Sequence, residues 1–320
     1  MASSPKPVGP VLEVRDLCVS FAARGGGGAV KAVDRASFSI APGETLGLVG
    51  QSGSGKTTTG RAVLQLQKSS GGSVRLLGRE LGALSRGDLR GMRRHMQFVQ
   101  QNPYSSLHPR MTIGQILTEP LQVHRAVPRE RMGERVAELL DLVNLDPAMV
   151  SRYPHEFSGG QRQRIVIARA LAVNPDFVVC DEAVSALDVR TQAQIVRLLR
   201  DLQQRLGLAY LFIAHDLALV RDLAHRVAVM YSGQIVEIGP SDRVYAEPGH
   251  PYTRMLLDAI PVPDPAVQRK RLRAAPVELA LVDRRPGPCC FGEDHDATGT
   301  APMHEIAPGH LVSCRFRPAE

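Results

Sequence analysis

The chain contains no run of 18 apolar residues, so no segment is expected to cross a membrane as a helix. Its opening residues, Met1-Ala-Ser-Ser-Pro-Lys-Pro7, lack the basic-then-apolar order of a secretory leader, and cytoplasmic residence is the expectation. Cysteine is scarce, with five in 320 residues. Cys18 and Cys180 fall in apolar strand-like runs, where small buried thiols are common and a disulfide is not expected in a reducing compartment. Lysine is equally scarce (Lys6, Lys31, Lys56, Lys68 and Lys270), so arginine carries most of the positive charge. The chain has 39 basic against 32 acidic residues, a net charge of +7 and a pI near 9.4. With no zinc-ligand cluster, basic helix or aromatic-interleaved patch, nucleic acid is not an expected partner. The charge suits an anionic membrane face or the acidic loops of a partner instead. No internal repeat is found. What remains is a globular composition, 43% apolar and 22% charged, on a chain long enough for one large domain and an appendage.

Against that background the segment Gly50-Gln-Ser-Gly-Ser-Gly55-Lys56-Thr57 stands out. It follows an apolar strand-like run, Thr45–Val49, and precedes a segment that reads as a helix from about Lys56 to Gln67. A glycine-rich loop between strand and helix turns backbone N–H groups toward a phosphate, and the helix adds its N-terminal partial charge. Gly50, Ser52, Gly53, Ser54, Gly55 and Thr58 form the cradle, Lys56 reaches the β- and γ-phosphates, and the Thr57 hydroxyl ligates Mg²⁺. The cofactors implied are ATP and Mg²⁺.

A second ordered group lies about 100 residues downstream. It consists of Phe157-Ser-Gly-Gly-Gln161-Arg-Gln-Arg164, an apolar strand ending in Asp181-Glu182, then Ser185-Ala-Leu-Asp188, and His215 after the strand-like run Tyr210–Ala214. Two acids at a strand end could merely cap the next helix. Beside a phosphate loop, Asp181 is expected to hold Mg²⁺ and Glu182 to align or deprotonate water. Ser158 and Gln161 have capping-box spacing, which starts a helix and also leaves an anion-attracting N-terminus. In this order the motifs resemble the nucleotide-binding subunit of an ATP-binding-cassette (ABC) transporter, from about Leu12 to Pro263.

That resemblance implies an α/β fold: a P-loop NTPase (RecA-like) core with an antiparallel β subdomain, a helical signature subdomain and a C-terminal extension. Residues 11–21 and 30–40 read as the opening strands, and 1–10 as a flexible N-terminus. The ATPase domain is expected over 11–240, its helical part at roughly 104–172, and the extension over 241–320. Between 113 and 145, Val136, Leu139, Leu140 and Val143 share one helix face. From 176 to 238 strands and helices alternate, as in a parallel sheet covered by helices. Beyond Ser241 the composition turns Pro- and Arg-rich and periodicity fades.

By the same resemblance His215 is the switch histidine at the γ-phosphate, and Gln101 the Q-loop glutamine at Mg²⁺ or water. Asn102 stands where the family often has Asp. Ser158, Gly159, Gly160 and Gln161 face ATP held by a second subunit, as does Asp188. Phe21 stacks on adenine or, as an aromatic at a strand end, packs in the core. Ala183 replaces the usual proline after the glutamate, which removes no chemical group.

The stretches Arg152–Gln161, Cys180–Val189, Pro103–Met111, His250-Pro-Tyr-Thr-Arg254 and Ile260-Pro-Val-Pro263 look like the dipeptide/oligopeptide/nickel group of importer ATPases, and within it the second of two paired ATPases. The implied function is to power uptake of peptides or a similar small solute. A non-transport ABC switch on ribosome or DNA is the alternative. Implied partners are a second ABC ATPase (a heterodimer, with a homodimer as the alternative), two permeases and, indirectly, an extracytoplasmic substrate-binding protein. The implied location is the cytoplasmic face of the inner membrane. Cys289, Cys290 and Cys314, with His295, His304 and His310 nearby, do not reproduce the four spaced cysteines of relatives. A partner-docking tail is preferred there over a mixed Cys/His metal site.

Overall fold

A computed structural model describes residues 9–22, 29–260 and 302–313. The opening runs are strands, β1 (Leu12–Phe21) and β2 (Val30–Ile40). They join β4 (Gly71–Leu76) and β5 (Arg79–Glu80) in an antiparallel sheet ordered β2-β1-β4-β5. Leu12 and Val14 point inward, and so do Leu17 and Val19, although their parity differs. A register shift at Asp16, whose φ is +47°, absorbs the extra residue.

The larger sheet is built on β3 (Thr45–Val49), which lies between β9 (Arg226–Tyr231) and β8 (Ala209–Ala214). Next to β8 come β7 (Phe177–Asp181) and β6 (Met96–Val99), and all five strands are parallel. Their near-continuous apolar sequences fit a sheet covered on both faces. Period-2 alternation divides the side chains. Leu46, Leu48, Leu211 and Ile213 join the core shared with the antiparallel sheet, whereas Val49, Tyr210 and Phe212 join the other. The first core also takes Ala62 and Val63 of helix α1 (Lys56–Val63). The second receives the helices α6 (Gly159–Leu171), α7 (Val189–Leu206) and α8 (Leu217–Arg221).

Several sequence readings need adjustment. Helix α1 ends at Val63 rather than near Gln67, because Gln65 takes a left-handed φ of +54°. The periodic stretch 113–145 is two helices, α4 (Ile113–Val123) and α5 (Met132–Leu142). Pro120 lies near the end of α4, and Arg125 at φ +47° turns the chain before Pro128. Val136, Leu139, Leu140 and Val143 are all buried, as the period requires. The parallel run stops at β9. Strand β10 (Gln234–Pro240) returns antiparallel, because Ser232 and Gly233 both have positive φ and make a tight hairpin turn.

Beyond Ser241 the structure is more regular than the sequence suggested. Helices α9 (Ser241–Ala246) and α10 (Pro251–Asp258) are followed, across the undescribed 261–301, by strands β11 (Met303–Ala307) and β12 (His310–Ser313). The β11–β12 hairpin extends the main sheet by pairing β12 with β10. Helices α2 (Arg86–Met92) and α3 (Pro103–Ser106) complete the elements used below.

Phe212 is fully buried in the central strand β8. Its replacement by alanine is expected to cost about 3–5 kcal/mol in a urea unfolding series.

Candidate active site

Because β3, β6, β7 and β8 are parallel, their C-terminal ends lie along one edge of the sheet, the edge where α/β folds build sites. The register sets the edge closely: Val49 pairs with Ala214, Asp181 with Ile213 and Val99 with Cys180. The residue following β3, β7 and β8, and the second residue after β6, therefore fall beside one another. In this way Gly50, Gln101, Glu182 and His215 reach one place from distant parts of the chain.

The loop after β3 can close only with glycine. Gly50 has φ +152°, and a Cβ there would lie 2.2 Å from the Met230 carbonyl oxygen; at Gly55 (φ +106°) it would lie 2.2 Å from that of Ala32. The ammonium of Lys56 donates to the carbonyls of Gly50 and Gln51, each at 2.8 Å, and the residue is buried. Burial lowers its pKa, with Glu182 and Asp181 nearby working against the shift. Among the described residues no protein acceptor takes the amide N–H of Lys56, Thr57 or Thr58, in the first turn of α1. The buried Ser54 Oγ likewise has no hydrogen-bond partner there. Ser52 and Gly53 are exposed at the loop tip. Unused donors and a buried cation form a site suited to a phosphate chain.

On the facing strand end the Thr57 hydroxyl donates to Asp181 Oδ1 at 2.9 Å. Burial raises the Asp181 pKa, and the Thr57 bond partly offsets this. A carboxylate and a hydroxyl in contact, beside phosphate donors, are hard oxygen ligands of the kind Mg²⁺ takes. Glu182 sits at φ +47° and its N–H donates to the Ile213 carbonyl at 2.9 Å. Its Oε2 accepts from Gln101 Nε2 at 2.9 Å and lies 3.5 Å from His215 Nδ1. Gln101 also donates to Ser185 Oγ at 3.3 Å. Asn102 caps the short helix α3 through its Oδ1, which accepts the Tyr104 N–H. Ala183 is buried. Burial pushes the Cys180 thiol up to about 12, which makes it an inert core group.

Other expected residues stand apart from this cluster. Ser158 and Gln161 form a reciprocal capping box at α6, as their spacing predicts, with Ser158 exposed. Gly159 and Gly160 open that helix, and a Cβ on Gly160 would come 2.5 Å from Thr191 Cγ2. Asp188 caps α7 by accepting from Thr191 N and Oγ1, and these bonds lower its pKa. Among the described residues no hydrogen bond joins 158–161 or Asp188 to Gly50–Thr58. Phe21 is 43% exposed at the end of β1, so it is not a core aromatic. Cys289, Cys290, Cys314 and His295 lie outside the described residues, among which no group of three or more ligand-type side chains could hold a metal. His310 is instead buried against Glu237, 2.7 Å from its Oε1.

Two contacts escaped the sequence reading. Tyr104 carries the Arg162 guanidinium 4.2 Å above its ring, joining the segment after Gln101 to α6. Tyr252 accepts the Gln51 N–H at 2.9 Å. The adjacency of Tyr104 to Gln101 could have suggested the first contact, but no local pattern announces the second.

Because burial raises the folded-state pKa of Asp181 above 3.8, its ionised form at neutral pH opposes folding of the ligand-free chain. Asp181→Asn is therefore expected to have the higher Tm at pH 7. The gap should narrow as pH falls through the raised folded-state pKa and close below 3.8, where the wild-type carboxyl is protonated in both states; calorimetry over a pH series measures it.

The ABC transporter family model matches residues 33–185, and the oligopeptide/dipeptide transporter C-terminal region matches 236–294. The glutathione import ATP-binding protein GsiA of Escherichia coli (strain K12) is 51% identical over 310 residues, covering 95% of this chain and 48% of that protein. The same figures hold for its counterpart in Shigella dysenteriae serotype 1 (strain Sd197). The chain thus spans about half the length of these curated relatives. Among solved structures, a dimeric post-hydrolysis state of the ATP-binding cassette MJ0796 bound to ADP and Pi superposes with a TM-score of 0.64 at 27% identity, covering 72% of this chain and 98% of that one. A neighbour by fold alone, cbiO1 from Clostridium perfringens, part of the ABC transporter complex cbiONQ, gives a TM-score of 0.66 at 24% identity, over 74% and 91% of the two chains. The chain thus joins an ABC transporter domain to an oligopeptide/dipeptide transporter C-terminal region.

Proposed function

We propose that this chain binds and hydrolyses ATP to power uptake of peptides or a similar small solute through a membrane importer. The observation that carries the hydrolytic part is the cluster of Glu182, Gln101 and His215 beside Lys56 and the Thr57–Asp181 pair. Transport is supported by the match of 236–294 to the oligopeptide/dipeptide region and by the relatives named for glutathione import. The same match favours transport over a non-transport switch on ribosome or DNA.

In this reading the amides of Gly50–Thr58 and the Lys56 ammonium bind and orient the phosphates. Thr57 and Asp181, with Gln101, would hold Mg²⁺, which neutralises phosphate charge when bound. The Gln101 amide and the His215 imidazole fix the Glu182 carboxylate and a water beside the γ-phosphate. The water oxygen bonds to the γ-phosphorus, the bond to the β–γ bridging oxygen breaks, and Glu182 takes the water proton, leaving ADP and phosphate. Phe21, exposed at the strand end, is assigned to adenine. The exposed Ser158–Gln161 start of α6 and Asp188 complete the site of a second ATPase subunit, in a heterodimer by preference. Two permeases and an extracytoplasmic binding protein would complete the importer, with the ATPases at the cytoplasmic membrane face. Among the described residues no helix is long and apolar enough to cross a membrane, in keeping with attachment through permeases.

Glu182→Gln is expected to cut steady-state ATP hydrolysis about 100-fold or more while leaving ATP binding intact. Unchanged turnover would remove Glu182 from its role. Purification of the chain from detergent-solubilised membranes should recover two permeases and a second ATPase. Recovery with ribosomes or repair proteins, and no permease, would overturn the transport assignment.

A further inference from the structure

The C-terminal extension reaches the phosphate loop through a chain of hydrogen bonds. Glu237 of β10 is fully buried, and its carboxylate accepts from Gly249 N at 2.8 Å, His250 N at 2.9 Å and His310 Nε2 at 2.7 Å. It therefore pins two separate parts of the extension: the turn into α10, through Gly249 and the N-cap residue His250, and strand β12. The His250 ring nitrogen Nδ1 then accepts the Tyr252 N–H at 3.1 Å, capping α10. Tyr252 is itself fully buried, with its ring 4.5 Å from that of Tyr231 at the end of β9. Its hydroxyl oxygen, held in place by this packing, accepts the Gln51 N–H.

That amide belongs to the Gly50–Gln51 peptide, whose carbonyl oxygen accepts from Lys56. One peptide unit is thus held at its N–H by the extension and at its oxygen by the phosphate-binding lysine. We infer that Tyr252 is a positioning residue, through which the extension sets the conformation of the phosphate loop and hence its affinity for nucleotide. The inference rests on the nucleotide-binding reading of that loop. When Lys56 turns toward bound phosphates, the Gly50 and Gln51 carbonyls give up their shared donor. The Tyr252 bond then remains to keep the first limb of the loop in place. Coupling is reciprocal, so nucleotide binding stabilises the seat of α10 and β12.

The test uses the full chain and a fluorescent N-methylanthraniloyl ATP with Mg²⁺. Tyr252→Phe removes one oxygen and keeps the ring. It is expected to raise Kd about three- to tenfold, the size of one neutral hydrogen bond, and to speed hydrogen exchange at the Gln51 amide. Tyr245→Phe is the control, since that half-buried hydroxyl donates to the Leu217 carbonyl and has no bond to the loop. It should lower Tm and leave Kd unchanged. His310→Ala, at the far end of the chain of bonds, should raise Kd in the same direction. Combined with Tyr252→Phe it should add less than its separate effect. If His310→Ala does not fold, the Tyr252→Phe affinity and exchange measurements decide alone. An unchanged Kd with Gln51 protection intact, or an equal loss in Tyr245→Phe, would overturn the inference while leaving the function in place. Failure of the wild-type chain itself to bind the probe would overturn the nucleotide-binding reading instead.

Discussion

Lys56 is the constraint around which the site is organised. Its ammonium is buried, and a buried charge requires fixed polar partners. The loop provides two carbonyl oxygens by folding Gly50 and Gln51 back over the side chain. That fold demands positive φ at Gly50 and Gly55, with no room for a Cβ at either. The same turning leaves the first amides of α1 without acceptors. The groups that satisfy the lysine and the groups left open to an anion are therefore consequences of one backbone path.

The acidic side of the site follows from strand register. Four parallel strands that end level place Asp181, Glu182, His215 and Gln101 opposite the lysine loop. The cost is electrostatic. Burial disfavours charge on both Lys56 and Asp181, so their ionised forms oppose folding, and the proposed Mg²⁺–nucleotide complex would relieve that cost. Glu182 also stores some backbone strain at φ +47°, a conformation that lets its N–H reach β8.

Much of this was legible in the sequence because it is local. The glycine loop, the acid pair at a strand end and the capping-box spacing of Ser158 and Gln161 each carry their geometry within a few residues. So do the continuous apolar runs of β3 and β8. What was not legible depends on long-range partners. The stop after Val63 turns on the φ of a single residue, Gln65, and the reversal of β10 on a two-residue turn whose signal, Ser232-Gly233, is weak. The β11–β12 hairpin is separated from β10 by more than sixty residues, so no periodicity links them. His310 could be placed only as a histidine near Cys289, Cys290 and Cys314, because its partner, Glu237, lies 73 positions away in sequence. A histidine is defined by what it faces, and that is a tertiary property.

Two residues proposed for a partner's nucleotide, Ser158 and Asp188, would serve a local and a remote purpose at once. Ser158 and Asp188 each spend side-chain acceptors on their own helix N-terminus, which fixes the direction of α6 and α7. Neither bonds to the phosphate loop of its own chain, and Ser158 is exposed. Capping and function are then compatible only if the remaining N-terminal amides and the outward face meet something outside the chain. A second cassette, whose own phosphate loop presents an anion to that face, meets the requirement, and the dimeric state of the cassette solved with ADP and phosphate supplies a precedent for such an assembly. In the proposed assembly each chain contributes a lysine loop, an acid pair and a histidine to one nucleotide and a capped helix to the other. Closure of the pair would then depend on nucleotide occupancy, which is how binding energy can be passed to a membrane partner.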